Sequence, residues 1–369
     1  MNTPLTTTDR DRLRRALELA ELGRGRVSPN PLVGAAIVRD GEVIGEGFHA
    51  ELGGLHAERA ALEDCRARGE DPAGATMFVS LEPCAHQGRQ PPCTEAILAA
   101  GIGRVVIASE DPTEKASGRG PGMLRDGGVE VTFAAGAEAG AARLLNQPFR
   151  KHARTGLPLV TLKMAMSLDG QTSTPPGDKL WISGELSRAM VHRWRSECDA
   201  IAVGIGTVFA DDPLLTARQP GARQPIRLVF DSQARMPLDS QLATSVEESP
   251  VLVVTAPSAD PGRVHGLEMA GVEILVAGGS RRADRIEAAL ADLGRRQVTS
   301  LFLEGGRTLA SAFVAAGQVD LSHTFVAPLL LGSSDIGSVA PGPGRLTALE
   351  SHAEAVGEDT LITARYREW

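Results

Sequence analysis

The chain has 369 residues, of which 42% are apolar and 23% charged, and it carries a net charge of −8 at pH 7. This length is comfortable for two domains, each with its own core. The acidic balance argues against a nucleic-acid-coating protein, which would normally present a basic surface. Because no run of about eighteen apolar residues occurs, we expect no membrane span.

The first part of the chain predicts a hairpin followed by alternating helices and strands. Thr8 can cap the first helix and Gly23 can end it, and Asp40-Gly41 is a hairpin turn signal. The apolar spacing predicts helices over 9–21, 56–68, 93–100 and 137–152, and strands over 32–38, 42–47, 75–81, 104–109 and 129–133. This order predicts a sheet covered on both faces.

The stretch from His56 to Cys93 carries the strongest chemical signal. The imidazole of His56 and the thiols of Cys84 and Cys93 can supply three ligands to a tetrahedral zinc and leave a fourth position open, as in catalytic sites. Glu58 lies two residues after the histidine, where a helix start could aim its carboxylate at the reacting centre to move protons. H-x-E followed by P-C is the signature of zinc deaminases.

The spacing of the two cysteines departs from that signature, because eight residues separate them where two are usual. Gly88 and Pro91-Pro92 suit a loop that returns the second sulfur to the same metal. The alternative interpretation is a pair of buried structural thiols beside an unrelated His-Ala-Glu. Cys65 and Cys198 do not indicate a secretory disulfide framework, so we expect a cytoplasmic protein.

Residues 154–158, Arg-Thr-Gly-Leu-Pro, indicate a domain boundary, after which the count of strands and helices starts again. We predict strands over 159–166, 200–203, 226–231, 251–255, 272–276 and 300–304, and helices over 185–198, 284–293 and 308–316. Asp284 can cap the second of these helices and Gly294 can stop it. Gly305-Gly306 opens the last helix, where backbone N–H groups can hold a phosphate; tight packing explains such a turn equally well.

Ordered motifs occur in both halves of the chain. Those of the first half are Asn30-Pro31-Leu32-Val33-Gly34, Gly54-Leu55-His56-Ala57-Glu58, Leu81-Glu82-Pro83-Cys84, Pro91-Pro92-Cys93, Asp111-Pro112 and Gly118-Arg119-Gly120. Those of the second half are Leu162-Lys163, Ser167-Leu168-Asp169-Gly170, Trp181-Ile182-Ser183, Gly206-Thr207-Val208, Asp211-Asp212-Pro213-Leu214-Leu215-Thr216, Asp231-Ser232 and Glu304-Gly305-Gly306. Over nearly its whole length, the chain resembles the bifunctional deaminase–reductase family of riboflavin biosynthesis.

The resemblance implies an α/β architecture with two enzymes in one chain. Residues 1–150 would form a cytidine-deaminase-like α/β/α sandwich with one zinc ion, and residues 155–369 a dihydrofolate-reductase-like α/β domain that uses NADPH. The first would deaminate a diaminopyrimidinone ribosylamino 5-phosphate, and the second would reduce the ribosyl group of the product to a ribityl chain. Its partners would be these small phosphoribosyl pyrimidines and further copies of the chain, without nucleic acid or membrane.

In the first domain the resemblance implies that His56, Cys84 and Cys93 hold the zinc and that Glu58 moves the protons. It also implies a set of contacts to the pyrimidine and its phosphate: Asn30, His49, His86, Arg89 and Asp111. Such a substrate needs hydrogen-bond donors and acceptors together with a cation. Each contact also has a plain structural interpretation, such as a solvated His86, an Asn30 that caps a turn or an Asp111 that serves the Asp-Pro bend.

In the second domain the resemblance implies a cofactor site and a substrate site. The cofactor would lie near Ala165, Trp181, Thr207, Asp211, Ser232, Gly306, Arg307, Thr308, Leu309, Ala310, Ser311 and Ala312. The substrate would lie near Lys179, Arg195, Leu215, Arg218 and Glu304. Arg195 and Arg218 suit its phosphate, because a guanidinium offers a fork of N–H donors. Trp181 could instead be a core aromatic.

Two residues depart from the family pattern in this domain: Lys179 where serine is frequent, and Met166 where a small residue is common. Both bear on the shape of the reductase pocket. The proton donor for the reduction stays open among Lys163, Asp211 and Glu304.

Three alternative functions remain at this stage. The chain could be a deaminase whose reductase half is impaired, since Lys179 departs from the pattern. A nucleic-acid deaminase would share the zinc and Glu58 but needs a basic face and aromatic stacking residues, whereas aromatics make up only 4% of this chain. A non-catalytic zinc-stabilised binding protein would need a closed site with four ligands, which His86 could complete.

Overall fold

The computed structural model describes residues 5–87, 91–113, 117–172, 181–279, 281–332 and 345–369. The chain divides into two compact units, Met1–Thr155 together with Trp369, and Gly156–Glu368. Each unit contains its own sheet. Among the helices in these described ranges, none combines the length and the apolar character that a bilayer span requires.

The first unit is built on a five-stranded sheet in the order β2-β1-β3-β4-β5. Its elements are α1 (Thr7–Glu21), β1 (Gly34–Arg39), β2 (Glu42–Phe48), α2 (Ala57–Ala67), β3 (Thr76–Val79), α3 (Cys93–Ala99), β4 (Arg104–Ile107), α4 (Arg119–Asp126), β5 (Glu130–Phe133), α5 (Ala137–Leu145) and α6 (Gln147–Thr155). β1 pairs antiparallel with β2 and β3, whereas β3, β4 and β5 run parallel.

Successive side chains of β3 pack on opposite faces of the sheet, which separates two apolar layers. Met77 and Val79 pack in one cluster with residues of α2, α3 and α4, and Phe78 packs in the other with residues of α1 and α5. Successive side chains of a strand point to opposite faces, so a strand covered on both sides is apolar throughout. The prediction of a sheet with two covered faces is confirmed.

Two glycines of β2 let α2 lie directly on the sheet. A Cβ on Gly45 would stand 2.5 Å from the backbone oxygen of Ala61, and one on Gly47 would stand 2.2 Å from the Ala61 nitrogen. Any side chain at either position would therefore push α2 outward. Since His56 is the N-cap of α2 and Glu58 lies in its first turn, these glycines help to set where both side chains stand.

The second unit is built on a nine-stranded sheet in the order β10-β9-β8-β7-β11-β6-β12-β14-β13. Its elements are β6 (Leu159–Ser167), α7 (Glu185–Glu197), β7 (Ala200–Gly204), α8 (Ile205–Asp211), β8 (Ile226–Phe230), α9 (Gln241–Thr244), β9 (Val251–Thr255), α10 (Pro261–Met269), β10 (Glu273–Val276), α11 (Arg282–Arg295), β11 (Ser300–Leu303), α12 (Arg307–Ala315), β12 (Leu321–Ala327), β13 (Glu350–Val356) and β14 (Asp359–Arg365). The strands from β10 to β12 run parallel, and β14 and β13 add an antiparallel edge.

The helix predicted over 137–152 is two helices in the structure, α5 and α6, separated at Asn146. The Asn146 side chain is committed to another segment, because its Oδ1 accepts from the Leu32 N–H at 2.8 Å and its Nδ2 donates to the Leu32 oxygen at 2.9 Å. The predicted cap at Thr8 was also wrong. Thr6 caps α1, in a capping box with Asp9.

Gly294 does not stop α11, which continues to Arg295. A Cβ at Gly294 would lie 1.7 Å from the Gly156 oxygen, so this glycine is needed for close packing rather than for helix termination. Asp284 lies in the first turn of α11 and accepts a hydrogen bond from the Arg281 N–H at 3.1 Å. The sequence interpretation missed α4, α8, α9, α10, β12, β13 and β14.

Candidate active sites

The three predicted zinc ligands meet in the first unit. His56 precedes α2, Cys84 follows β3 after a short loop, and Cys93 begins α3. The Cys84 and Cys93 sulfurs lie 3.6 and 3.3 Å from Nδ1 of His56. The ligand atoms of all three residues lie within 4.8 Å of one another. The eight-residue gap between the cysteines therefore does not separate their sulfurs.

Electrostatics at the two thiols favour one thiolate even without metal. Hydrogen bonds from the Cys93 thiol and from His56 lower the pKa of Cys84 to about 4. The hydrogen bond to Cys84 in turn raises the pKa of His56, which favours the imidazolium as its partner. The Cys93 backbone N–H also donates to the Cys84 sulfur, at 3.3 Å. The site is thus organised to hold negative charge on sulfur, the form that ligates metals.

This donor set fits a zinc ion with an open coordination position. One imidazole nitrogen and two sulfurs are ligands that zinc prefers. Within the described ranges, no fourth histidine, cysteine or carboxylate atom joins these three within 4.8 Å. His86, which could have closed the site, is exposed and does not belong to the group. A site with four protein ligands, as a purely structural zinc would need, is not what these residues form.

Glu58 is buried beside this ligand group, with 3% of its surface exposed. It lies in the first turn of α2, two residues from His56. Burial, together with the charge of Cys84, raises its pKa. A raised pKa makes the carboxylate a better proton acceptor, which suits the proton transfer that the sequence predicted for this residue.

A cavity of about 400 Å³ adjoins the ligand group, and most of the residues predicted to contact the substrate line it. Asn30, His49, His86 and Asp111 all line it, whereas Arg89 lies outside the described residues. The cavity is lined by Pro29, Asn30, Pro31, Val33, His49, Leu52, Gly53, Gly54, His56, Ala57, Glu58, Leu81, Glu82, Cys84, His86, Asp111, Thr113 and Phe149. Its size suits a small molecule of the pyrimidine class.

Asn30 and His49 form a hydrogen-bonded pair in this wall. Nδ1 of His49 lies 2.9 Å from the Leu55 oxygen, and since a carbonyl only accepts, this ring nitrogen carries a hydrogen. Burial lowers the pKa of His49, so the ring is neutral and its Nε2 accepts from the Asn30 amide at 3.0 Å. The pair fixes the orientation of both side chains toward a ligand.

Several further cavity residues were not predicted as contacts, among them Leu52, Glu82, Thr113 and Phe149. Glu82 is 4% exposed, and burial raises its pKa. Its position in the Leu-Glu-Pro-Cys motif offered a signal. Thr113 donates to the Asp111 carboxylate through both its N–H, at 2.8 Å, and its hydroxyl, at 2.6 Å. Phe149 has no local sequence signal, since it comes from α6.

In the second unit, Arg195 of α7 and Glu304 at the end of β11 form a two-pronged ion pair. The Arg195 Nε donates to Oε1 at 2.7 Å and Nη2 donates to Oε2 at 3.0 Å. Against the effect of burial, Arg195 and the nearby Lys163 hold the pKa of Glu304 below its usual value. Burial lowers the pKa of Lys163. The Arg195 fork, predicted to bind phosphate, is thus largely committed to a carboxylate.

His192 joins this cluster and was missed in the sequence. Burial lowers its pKa, and the charges of Arg195 and Arg218 add to the effect. It precedes Arg195 by three residues in α7, a spacing that places both on one face of a helix and could have revealed it. Arg218 is exposed, so its guanidinium is accessible to a ligand.

Leu215, a predicted substrate contact, has a buried side chain. It is 3% exposed and belongs to a hydrophobic core cluster. Its φ of 57° places the backbone in the left-handed region, which is unusual for a bulky side chain. The Leu215 side chain thus fixes this turn to the hydrophobic core. The backbone oxygen of the next residue, Thr216, accepts from Nη1 of Arg195 at 3.4 Å.

The predicted cofactor residues gather partly at the starts of α8 and α12. These helices follow β7 and β11, which are parallel neighbours. A Cβ on Gly306, the N-cap of α12, would lie 3.7 Å from the hydroxyl of Thr207 in α8. Ser232 follows the adjacent strand β8. Helix starts at the carboxyl edge of a parallel sheet present backbone N–H groups to phosphates.

Other members of the cofactor set behave differently. Gly306, Arg307 and Thr308 are exposed, whereas Ala310 is buried and Leu309 and Ala312 pack against the same hydrophobic cluster. The side chains of these last three therefore help to stabilise the domain, and their place near the cofactor stays a prediction. The Oγ of Ser311 is buried without a hydrogen-bond partner.

The remaining predicted positions lie apart from the helix starts or outside the described residues. Ala165 lies in β6, paired in register with Phe325 of β12. Asp211, the last residue of α8, is exposed. Trp181 is 73% exposed, which excludes a core aromatic, and the Arg188 guanidinium lies 5.4 Å from its ring centre. Lys179 lies outside the described residues.

Both units match families of known function. Residues 6–109 match the cytidine and deoxycytidylate deaminase zinc-binding region. Residues 158–362 match the RibD C-terminal domain. The order of the two matches is the one that the motifs predicted.

Other proteins are similar to this chain over nearly their whole length. It is 40% identical over 367 residues to the riboflavin biosynthesis protein RibD of Actinobacillus pleuropneumoniae, covering 98% of this chain and 96% of that protein. It is 39% identical over 355 residues to RibD of Escherichia coli, covering 92% of each.

Solved structures agree with these sequence relationships. A diaminohydroxyphosphoribosylaminopyrimidine deaminase/5-amino-6-(5-phosphoribosylamino)uracil reductase from Thermotoga maritima superposes with a TM-score of 0.83 at 34% identity, covering 98% of this chain and 99% of that one. RibD of Acinetobacter baumannii gives a TM-score of 0.83 at 35% identity, again covering 98% and 99%. The predicted pair of folds, cytidine-deaminase-like and then dihydrofolate-reductase-like, is confirmed.

Proposed function

The chain belongs to the RibD family of riboflavin biosynthesis proteins, and from this premise we propose how its residues divide the work. It is a bifunctional enzyme: a zinc-dependent deaminase domain is followed by a reductase domain of the NADPH-dependent type. The deaminase assignment rests on one observation: His56, Cys84 and Cys93 form a group beside a cavity of about 400 Å³ that Glu58 also lines.

In the deaminase domain, His56, Cys84 and Cys93 hold the zinc, which when bound polarises water for attack on a carbon that bears an amine. Glu58 moves the protons: its carboxylate takes one from the attacking water and passes it to the departing amine, so that ammonia leaves. The position of Glu58, buried beside the ligand group and lining the cavity, supports this role.

The substrate of this step is a diaminopyrimidinone that carries a phosphoribosylamino group. We assign its pyrimidine ring to the wall formed by Asn30, His49 and Asp111. The Asn30 amide and the Asp111 carboxylate offer complementary hydrogen bonds, and His49 holds the Asn30 amide in place. His86, exposed at the rim of the same cavity, suits the more polar end of the substrate. The sequence interpretation adds Arg89 as the cation for the phosphate.

In the reductase domain, NADPH supplies the hydride that reduces the ribosyl C1. The starts of α8 and α12, with Thr207 and Gly306, hold the phosphates of the cofactor, since the first turn of a helix leaves backbone N–H groups free to bind anions. Arg218 holds the 5-phosphate of the substrate, because its guanidinium is exposed. Arg195 keeps Glu304 ionised and oriented.

Three residues were candidates for the proton donor of the reduction, and their charge environments favour Lys163. Glu304 is ionised by its pairing with Arg195, so it has no proton to give. Asp211 is exposed at the end of α8. Lys163 has a pKa lowered by burial and lies close enough to Glu304 to interact with it. An ammonium whose pKa is lowered gives up its proton readily.

Three further proposals concern the whole protein. The deaminase occupies residues 1–150 and the reductase 155–369, each working on its own substrate. The protein self-associates and binds no nucleic acid, which sedimentation and a DNA-binding assay test. It works in the cytoplasm, where thiols such as its zinc ligands stay reduced.

A coupled assay tests the function directly. Purified protein is given the diaminopyrimidinone substrate with and without NADPH, and ammonia release and NADPH oxidation are followed in parallel. We expect ammonia in both conditions, and the ribityl product only with NADPH. Ammonia without NADPH oxidation would leave a deaminase with an impaired reductase half. No ammonia under any condition would refute the assignment.

A further inference from the structure

Part of the deaminase cavity is built by a segment that neither matched family region includes. The zinc-binding match ends at residue 109 and the reductase match begins at residue 158. Asp111, Thr113 and Phe149 nevertheless line the cavity. The residues that hold this segment in place therefore bear on which substrate the cavity accepts.

The side chain behind this wall is Arg150, which follows Phe149 in α6. It is 1% exposed, which makes it one of the largest fully buried side chains of the chain. Its guanidinium is directed at the two residues that precede Asp111. Nη1 lies 3.3 Å from the Ser109 hydroxyl and donates to the Glu110 backbone oxygen at 3.1 Å, and Nη2 donates to Oε1 of Glu110 at 2.7 Å. Its Nε donates to the backbone oxygen of Trp369, a residue of the same compact unit.

The same corner is held from the cavity side by Glu82. The Glu82 N–H donates to the Ser109 backbone oxygen at 3.0 Å, and the Asp111 N–H lies 3.4 Å from Oε2 of Glu82. The corner of residues 109–111 is therefore fixed between a guanidinium behind it and a carboxylate in front of it. Because Asp111 is the last residue of this corner, rotation of the corner would move the Asp111 carboxylate.

We propose that Arg150 is a positioning residue for deamination: by fixing the Ser109-Glu110 corner it sets the Asp111 carboxylate where the substrate pyrimidine contacts it. This rests on the proposed function, since it requires the substrate to bind in this cavity. Arginine suits the task because its planar fork reaches three acceptors on one corner, whereas a lysine ammonium is a single point charge. If Arg150 had only a structural role, its substitution would lower the stability of the domain, and the effect would not depend on Asp111.

A double-mutant cycle on the full-length, zinc-loaded protein tests this. Arg150→Lys keeps the charge and removes the fork, and should raise the deaminase KM about threefold to tenfold, the scale of one lost hydrogen bond, with little change in kcat. Asp111→Asn should raise KM by a similar factor. If Arg150 acts through Asp111, the double variant should show the KM of Asp111→Asn alone, to within about twofold, because coupled residues are not additive.

The matched control is Arg154→Lys, the same substitution one turn later in α6 at an exposed residue, which should leave KM unchanged. Zinc content should be unchanged in all variants, which shows that the deaminase domain is folded, and the reductase activity of each serves as an internal control for the amount of intact protein. Should Arg150→Lys fold poorly, Glu110→Gln removes only the ion pair, at a side chain that is 46% exposed, and enters the same cycle.

The outcomes separate the inference from the function on which it rests. KM effects that multiply in the double variant, a fall in kcat at constant KM, or an unchanged KM in Arg150→Lys would each overturn the positioning role. An unchanged KM in Asp111→Asn would overturn it as well, since the route through Asp111 would be absent. A wild-type protein that does not deaminate the substrate would refute the proposed function itself.

Discussion

Arg195 and Glu304 meet through two parallel hydrogen bonds, 2.7 Å from Nε to Oε1 and 3.0 Å from Nη2 to Oε2. The pair joins helix α7 to the end of strand β11. Both side chains are largely shielded from water, at 15% and 11% exposure. The sequence presented them as two separate substrate contacts, whereas the structure makes them one unit in which Arg195 lowers the pKa of the Glu304 carboxyl.

Removing one half of this pair should be costly. Arg195→Met would leave Glu304 buried without its partner, and we expect the free energy of unfolding to fall by about 3–5 kcal/mol. Arg193→Met is the control, since Arg193 of the same helix is 62% exposed and pairs with Glu197; it should cost at most about 1 kcal/mol. Urea denaturation measures both, and equal losses would show that the buried pair is not special.

The zinc assignment predicts a specific loss of metal. The double variant Cys84→Ser, Cys93→Ser should purify without zinc, because serine hydroxyls are much weaker ligands than thiolates. Cys65→Ser removes another buried thiol, in α2, and should keep the metal. Metal analysis of the purified proteins decides between them. Full zinc in the double variant would contradict the assignment.

Glu58→Gln should separate metal binding from catalysis. The amide cannot carry the proton, so kcat for deamination should fall by a factor of about 10² or more, the scale of general acid–base catalysis. Zinc content should not change, and the variant should still reduce the deaminated intermediate when this is supplied. An active variant would mean that another group moves the proton. Loss of the reduction as well would contradict the division into two independent sites.

Arg218→Ala tests the phosphate contact in the reductase domain. Loss of a hydrogen bond to a charged group costs about 1.5–3 kcal/mol, so the KM of the reductase substrate should rise tenfold or more. The NADPH dissociation constant should change much less, because the cofactor phosphates are assigned to the helix starts near Thr207 and Gly306. The exposed Arg193 again provides a control as Arg193→Ala. An equal loss for cofactor and substrate would refute the contact.

His323 predicts how the stability of the protein depends on pH. Its ring is stacked on Trp194, with ring centres 4.3 Å apart, and its Nδ1 lies 2.9 Å from the hydroxyl of Thr363. Burial, with a smaller contribution from His352, lowers its pKa from 6.5 to about 4. Between these values the unfolded state binds more protons than the folded state, so stability falls as the pH falls through this window.

His323→Gln should reduce this loss. Between pH 7 and pH 4 the wild-type protein should lose up to about 3 kcal/mol more than the variant, the equivalent of the pKa shift. The comparison concerns the change with pH, so an offset from the altered stacking on Trp194 does not affect it. His265→Gln, at an exposed histidine, should follow the wild-type curve. Parallel curves for wild type and His323→Gln would refute the prediction.

The zinc site was predictable because its residues lie in short motifs that can be recognised in the sequence. His56 and Glu58 are two residues apart at a helix start, and the cysteines follow in a recognisable order, so no knowledge of distant packing was needed. The rest of the cavity has no such signature. Phe149 reaches it from α6, and nothing in the spacing of residues around Phe149 distinguishes it from a core aromatic.

The reductase domain shows where a pattern of motifs is insufficient. Leu215, Ala310 and Ala312 belong to segments that resemble pocket-forming motifs, yet their side chains pack in hydrophobic clusters. A motif marks a stretch of backbone, and the direction of each side chain depends on packing. The edge strand β13 was missed for another reason: all but the last of its seven residues are exposed. It therefore lacks the apolar run by which a buried strand is recognised.

The contact of Gly45 and Gly47 with the backbone of α2 has a consequence for interpreting variants of this protein. Neither glycine is a ligand, but a methyl group at Gly47 would stand 2.6 Å from the oxygen of Ala57, the first residue of the helix that carries Glu58. A mutation there would displace His56 and Glu58 together from the cysteines. A mutational screen that scores zinc content would classify such a change as the loss of a ligand, although the altered feature is the close packing of strand β2 against helix α2.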